Sequence, residues 1–219
     1  MQDANRDLSA VKAVIFDYGE VLCLAPTPQD LEESARVMGI TPDLFRALWG
    51  RNRDLYDRGD LSPEVYWRSL AQDAGKVITG DQLQDLRRRD VEMWSRLNPA
   101  MLAWMEKLLA SGIKTAVLSN MHVDMVQLVR ERFRWIDRVS WKTLSAEVHL
   151  IKPDPAIFHH CLQGLGVKAR QALFLDDRSV NVEAARALGI HGIQFTSTVE
   201  LRDKLEAAKF PTLPLALQM

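Results

Sequence analysis

Adjacent carboxylates are costly neighbours, and Asp176 and Asp177 stand side by side directly after the apolar run of residues 172–175. Two such charges at a buried strand end repel each other unless a cation or a lysine offsets them. A third acid, Asp17, follows the apolar run of residues 11–16, inside the stretch VIFDYGEVL. Taken alone, Asp17 with Gly19 two residues on reads as readily as a turn or helix-cap residue. Ser119 and Asn120 close the run AVLSN, where a hydroxyl and the N–H groups of a following helix start can hold an anion. Lys152 precedes Pro153 in IKPDPAIF, and the proline disfavours helix at the lysine, placing it at a helix entry with little buried area to expect. A lysine, a hydroxyl, backbone N–H donors and paired acids able to hold a divalent cation are together the groups that stabilise a transferring phosphoryl group.

For these residues to meet, the elements that carry them must converge. Residues 11–16, 114–118 and 172–175 read as buried strands, each a compact apolar run cut off by polar or small residues, and residues 192–195 read as a fourth. Helical spacing predicts helices over 99–110, 123–132, 155–165, 179–188, ending at Gly189, and 199–208. The alternation predicts an α/β fold, a Rossmann-like doubly wound parallel sheet covered on both faces. In such a sheet the ligand crevice lies beyond the carboxyl ends of the strands, where the loaded residues sit.

Residues 25–97 break the alternation, with helical candidates near 29–38, 42–49, 63–74 and 81–94 and no convincing strand. The expected division is therefore a core of residues 1–24 and 98–219 with an inserted all-helical cap of residues 25–97. Arg51, Arg53 and Arg58 are the cap cations that could face a substrate, although a solvated helix face is the commoner fate of such charges. The tail PTLPLALQM after Phe210 reads as an extended end.

Lys and Arg number 28 against 29 Asp and Glu, so no single-sign field gathers nucleic acid. The polar opening MQDANRDLSAVK lacks the pattern of a secretory signal, and no apolar stretch approaches the roughly 18 residues of a membrane span. A cytoplasmic protein with neither nucleic acid nor membrane as a partner is expected. Cys23 and Cys161 read as small buried hydrophobes in a reduced compartment, and the six tryptophans as packing residues rather than a binding platform.

In the order strand-Asp, strand-Ser, Lys-Pro, strand-Asp-Asp, with a helical insertion after the first, the chain resembles the haloacid dehalogenase-like hydrolases, in the subgroup with a helical cap after the first motif. The phrase RGDLSPEVYW resembles a cap pattern of that subgroup. The resemblance implies that Asp17 is a nucleophile that becomes an aspartyl-phosphate, that Ser119 hydrogen-bonds the phosphoryl group, and that Lys152 neutralises it. Asn120 is expected to donate to substrate or phosphate. Magnesium is implied on the Asp17 carboxylate, the Gly19 carbonyl and the Asp177 carboxylate, with Asp176 orienting Lys152 or the shell and Asn181 supporting the metal's waters. The implied substrate is a small phosphorylated metabolite, such as the sugar phosphates of members with the same Asp-x-Gly-x-Val motif.

The pattern departs from most phosphatases of this kind at Gly19, where they carry a second aspartate that protonates the leaving oxygen and activates water. General acid–base assistance is worth about 10²–10⁴ in rate. Glu20 is a poor substitute, because one residue along its side chain should point elsewhere. His149, where glycine is common, reads as a satisfied loop histidine. Two alternatives follow: a phosphometabolite-binding protein without catalysis, and a metal-free 2-haloacid dehalogenase, against which the paired acids argue.

Overall fold

Within β1 (Ala13–Phe16) successive side chains point to opposite faces, so Val14 and Phe16 enter one apolar layer and Ala13 and Ile15 the other, all fully buried. A strand buried on both faces belongs in the middle of a covered parallel sheet. The computed structural model describes residues 10–210 and places β1 there. Six helices follow it: α1 (Pro28–Met38), α2 (Pro42–Trp49), α3 (Arg53–Asp57), α4 (Pro63–Asp73), α5 (Gly80–Met93) and α6 (Pro99–Ala110). Then come β2 (Lys114–Ser119), α7 (Val123–Arg132), β3 (Trp141–Leu144), α8 (Ser145–Val148) and α9 (Pro155–Leu165). The chain closes with β4 (Ala172–Asp176), α10 (Ser179–Ala187), β5 (His191–Gln194) and α11 (Thr198–Ala207).

All five strands are parallel, in the order β3-β2-β1-β4-β5. Helices α6, α7 and α11 cover the face that holds Val14 and Phe16, and α9 and α10 cover the other. This is the α/β architecture that the alternation predicts. Helices α1 to α5 contain no strand between them and gather an apolar cluster of their own around Phe45, Tyr56, Trp67 and Leu70. Their starts are legible: Thr27, Thr41 and Ser62 cap helices whose first residue is proline, and Thr27 with Asp30 and Thr79 with Gln82 form reciprocal capping boxes.

Short elements depart from expectation, among them the one-turn α8, the strand β3 and the helix α3. The edge strand β3 has the sequence WKTL, too short and polar to stand out, and Trp141 remains 36 % exposed. Helix α3 spans five residues, below the length at which periodicity shows, so the segment holds five helices rather than four. The tail after Phe210 lies outside the described residues. Among the described residues no helix is long and apolar enough to cross a membrane.

The seat of α10 on β5 depends on Gly192. A Cβ added there would lie 2.9 Å from both the Val182 carbonyl oxygen and Val182 Cγ1. Backbone cannot give as a flexible side chain can, so Gly192→Ala should lift α10 and lower stability by about 1–3 kcal/mol. Urea unfolding reads this directly, and an unchanged midpoint would contradict the close helix–strand contact.

Candidate active site

Parallel pairing brings the three loaded strand ends to one edge of the sheet. Phe16 pairs with Val117 on one side and Leu175 on the other, so Asp17, Ser119 and Asp176 leave neighbouring strands at almost the same level. Asp17 N–H donates to the Leu175 carbonyl at 2.9 Å, while its Oδ1 accepts from Tyr18 N–H at 2.6 Å and caps the wide helical turn Tyr18–Leu22. The cap residue and the chemical residue are thus one side chain.

Lys152, expected at an exposed helix entry, is instead 2 % exposed. Its Nζ lies 2.8 Å from Asp17 Oδ2 and 2.6 Å from Asp176 Oδ2, above the Phe174 ring. The correction has a local cause in Asn120. Its amide donates to the Lys152 carbonyl at 3.0 Å and its oxygen accepts from Lys152 N–H at 2.9 Å, clamping the lysine's backbone against the end of β2. Asn120, expected to donate to substrate, therefore has its amide oxygen and one N–H committed to positioning Lys152. Ser119 is 2 % exposed and lines the cavity above this group.

The acids divide by environment. Burial pushes the Asp17 carboxyl up to about 7 despite the opposing pull of Lys152, with Asp176 and Asp177 adding to the rise. Asp177 is pushed up to about 6, again by burial first and then by Asp176 and Glu20. For Asp176, burial is outweighed by Lys152 and by hydrogen bonds from Asn181 and the Arg178 N–H, which hold it below the usual range. Burial favours a neutral Lys152 amine, but Asp17 and Asp176 outweigh it and raise its pKa.

Oxygens of Asp17, Asp176 and Asp177 lie within 4.8 Å of one another. Asn181 spends its amide N–H on Asp176 at 2.9 and 3.0 Å, leaving its Oδ1 buried without a partner. Three clustered carboxylates, two of them reluctant to ionise, beside an orphaned amide oxygen are a donor set that fits a hard, oxygen-preferring divalent cation.

A cavity of about 240 Å³ opens over these groups, with Asp17, Gly19, Ser119, Lys152 and Asp177 in its floor. Its far wall comes from the helical segment. Trp49 and Trp94 stack at 6.3 Å, and Arg53 sits 5.1 Å from the Trp49 ring. Of the three arginines singled out in the helical segment, Arg53 faces the cavity, bound to Asp57 at 3.0 Å and to Asp90 at 3.1 Å, whereas Arg51 and Arg58 pair with Asp73 and Asp60 at the surface. Two of the six tryptophans are cavity residues after all. His122, which carries no sequence signal, is fully buried, stacks on Tyr56 at 4.4 Å and places Nε2 3.1 Å from Asp90. Glu20 is exposed at the rim in a left-handed conformation (φ 55°), and His149 sets its Nδ1 3.1 Å from the Arg58 carbonyl. Cys23 and Cys161 are free and buried.

Asp90 is fully buried; that burial raises its pKa, but Arg53 and His122 outweigh it and hold the carboxyl at about 2 against an ordinary 3.8. The folded value is depressed, so its stabilisation is complete above 3.8 and is lost as the pH falls through about 2. Asp90→Asn should cost about 3 kcal/mol near neutrality, the low end for a broken buried pair because Asp57 still meets Arg53. In urea unfolding at several pH values, the gap between wild type and variant should shrink toward pH 2; a pH-independent gap would contradict the ion-pair origin.

A family model of haloacid dehalogenase-like hydrolases matches residues 11–189. The mouse protein acyl-CoA dehydrogenase family member 10 is 36 % identical over 211 residues, covering 90 % of this chain; the chain spans only 19 % of that longer protein. A sesquiterpene phosphatase of Aspergillus oryzae is 25 % identical over 189 residues, covering 86 % of this chain and 91 % of its own. Among solved structures, a HAD-like family hydrolase of Porphyromonas gingivalis superposes with a TM-score of 0.72 at 20 % identity, covering 90 % of this chain and 98 % of the other. A HAD family enzyme of Bacteroides thetaiotaomicron, in complex with magnesium and inorganic phosphate, does so with a TM-score of 0.70 at 19 % identity, covering 86 % and 96 %. With the model spanning most of the chain and its motifs converging on one cavity, the chain belongs to the haloacid dehalogenase-like hydrolases.

Proposed function

We propose that the chain is a magnesium-dependent phosphatase that hydrolyses a small phosphorylated metabolite through an aspartyl-phosphate on Asp17. The observation that carries this reading is the buried Lys152 ammonium held between Asp17 and Asp176, with Asp177 and the cavity beside it. A carboxylate nucleophile and a phosphate dianion repel each other, so the reaction needs positive charge placed in advance where both meet. Lys152 supplies one such charge on the Asp17 side. The Ser119 hydroxyl is read as donating to a phosphoryl oxygen, and Asn120 keeps Lys152 in position.

Asp17, Asp177 and the Gly19 carbonyl are the groups that would hold magnesium, and the unpartnered Asn181 amide oxygen would accept from its waters. When bound, the ion supplies Lewis acidity toward phosphate and offsets the burial and mutual repulsion that raise Asp17 and Asp177. The helices of residues 25–97 are read as a cap over a core of residues 1–24 and 98–219, setting substrate choice through the far wall. The fungal phosphatase and the magnesium and phosphate bound to the Bacteroides enzyme support the same chemistry.

One observation favours a second reading, a phosphometabolite-binding protein without turnover: Gly19 offers no acid beside Asp17. Turnover separates the two. Hydrolysis of phosphorylated metabolites with magnesium should vanish in Asp17→Asn and with chelator, whereas tight binding without any hydrolysis would favour the binding protein. Halide release from a 2-haloacid, indifferent to chelator, would favour the dehalogenase.

Two further outcomes follow from the geometry. Lys152→Ala should abolish turnover and also cost about 3–5 kcal/mol of stability, because it strands buried carboxylates rather than trimming a surface side chain. Wild-type turnover in that variant would sink the anion-site assignment. Asp177 has a raised folded pKa, so its charge opposes folding above about 6. Asp177→Asn should therefore raise the metal-free Tm while losing the Tm increase that magnesium gives the wild type; an intact magnesium-induced increase would remove Asp177 from the ligand set.

A further inference from the structure

The cavity wall next to the nucleophile's turn is aromatic. A Cβ on Gly19 would lie 3.7 Å from Trp94 Cζ3, so the place from which a side-chain acid reaches a departing oxygen is bordered by an indole ring. Trp49 stacks on Trp94 at an interplanar angle of 19°, and Met121 and Met125 extend the apolar lining.

Other proton donors of the cavity are committed to partners or exposed at the rim, and Asp177 is assigned above to the cation. Tyr18 Oη donates to the Trp94 carbonyl at 2.7 Å. Lys152 is gripped by two carboxylates, and Asp57 is bound to Arg53. Both ring nitrogens of His122 are buried out of solvent contact. Asp54 and Glu20 are exposed at the rim.

The wall carries no net positive charge. Arg53 is offset by Asp57 and Asp90, and at the rim the exposed Arg178 is set against the two acids Glu20 and Asp54. A sugar body needs several hydroxyl partners, and beyond the phosphoryl floor the free ones come down to the rim side chains Glu20, Asp54 and Arg178, the wall itself being indole and thioether. The cavity volume of about 240 Å³ falls below the roughly 300–1,000 Å³ of pockets for drug-sized ligands, enough for a small ring system.

Resting on the phosphatase reading above, we propose that the substrate is an aryl phosphate: the monoester of a neutral aromatic ring that lies against Trp49 and Trp94 and departs as a phenolate without a protein acid. Asp17 Oδ forms the bond to phosphorus as the bond from phosphorus to the phenolic oxygen breaks. The electron pair leaves on that oxygen, which takes its proton from solvent. Water then attacks phosphorus, breaks its bond to Asp17 and yields inorganic phosphate, the water's proton passing to solvent. A phenolic oxygen, with a pKa of about 10 like that of tyrosine, tolerates unassisted departure far better than an alkoxide. The ring gains offset stacking against the indoles.

The test compares kcat/KM, with magnesium, for phenyl phosphate, ring-substituted phenyl phosphates, benzyl phosphate and a hexose 6-phosphate. Benzyl phosphate keeps the ring but makes the leaving oxygen an alkoxide. Phenyl phosphate should exceed benzyl and hexose phosphates by at least about 100-fold, the low end of what an acid supplies, and the values should climb steeply as ring substituents acidify the phenol. Gly19→Asp, at a position with room for a Cβ, should narrow the phenyl-to-benzyl ratio at least about tenfold. Benzyl or hexose phosphate within tenfold of phenyl phosphate, or an unchanged ratio in folded Gly19→Asp, overturns the aryl assignment while leaving the phosphatase reading intact. No turnover of any ester overturns both.

Discussion

A buried ammonium between two buried carboxylates governs the rest of this structure. Lys152 touches Asp17 and Asp176 at 2.8 and 2.6 Å in a place that water scarcely reaches. Taking such charges out of water costs several kcal/mol per ion, and their attraction repays it only when geometry and remaining hydrogen bonds are well satisfied. The surroundings meet that demand piece by piece. Asn120 fixes the backbone of Lys152, Asn181 and the Arg178 N–H fix Asp176, and Tyr18 N–H fixes Asp17. What stays unsatisfied is equally informative: three carboxylates cluster where the lysine touches only two of them, and an amide oxygen has no partner.

The same physics recurs in the helical segment. Arg53 is bound to Asp57 and Asp90 and lies 5.1, 5.4 and 5.9 Å from the rings of Trp49, Tyr56 and Tyr66. This second charged knot reaches the core through Tyr56 stacked on His122, two residues beyond Asn120, and through Ser145 Oγ donating to the Asp57 carbonyl. Arg87 adds a two-bond ion pair with Asp124 at the start of α7, each bond 2.8 Å. The far wall of the cavity is therefore registered against its floor by groups that are individually costly to separate. At the opposite edge, Leu22 to Leu24 run antiparallel to Arg96 to Asn98, so the two strands of chain that join the segment to the sheet are themselves hydrogen-bonded.

Much of the scaffold was legible because its signals are local. Apolar runs mark β1, β2 and β4, and helical periodicity with Pro, Thr or Ser at the start and Gly or small residues at the end marks most helices. Where local signals thin out, so did the reading. The four residues of β3 gain strand geometry from pairing with β2, and α3 follows a left-handed Asn52 that no pattern announces. Asn120 was visible as a chemical residue, but its engagement with the backbone of a residue 32 positions away was not. Trp49 and Trp94 had no feature to separate them from the packing tryptophans, because a ring becomes a wall only through what it faces.

By itself the sequence determined which strand ends carry acid and hydroxyl, which helix entry carries the lysine, and the alternation that sends those strand ends to one side of a parallel sheet. These follow from hydrophobic period and from the rule that parallel strands share a carboxyl edge. Tertiary structure alone decided that Lys152 is buried, that Asp17 and Asp177 resist ionisation while Asp176 does not, and that an indole borders the side of Gly19. Burial, field and contact are sums over groups distant in the chain, and no window of residues contains them.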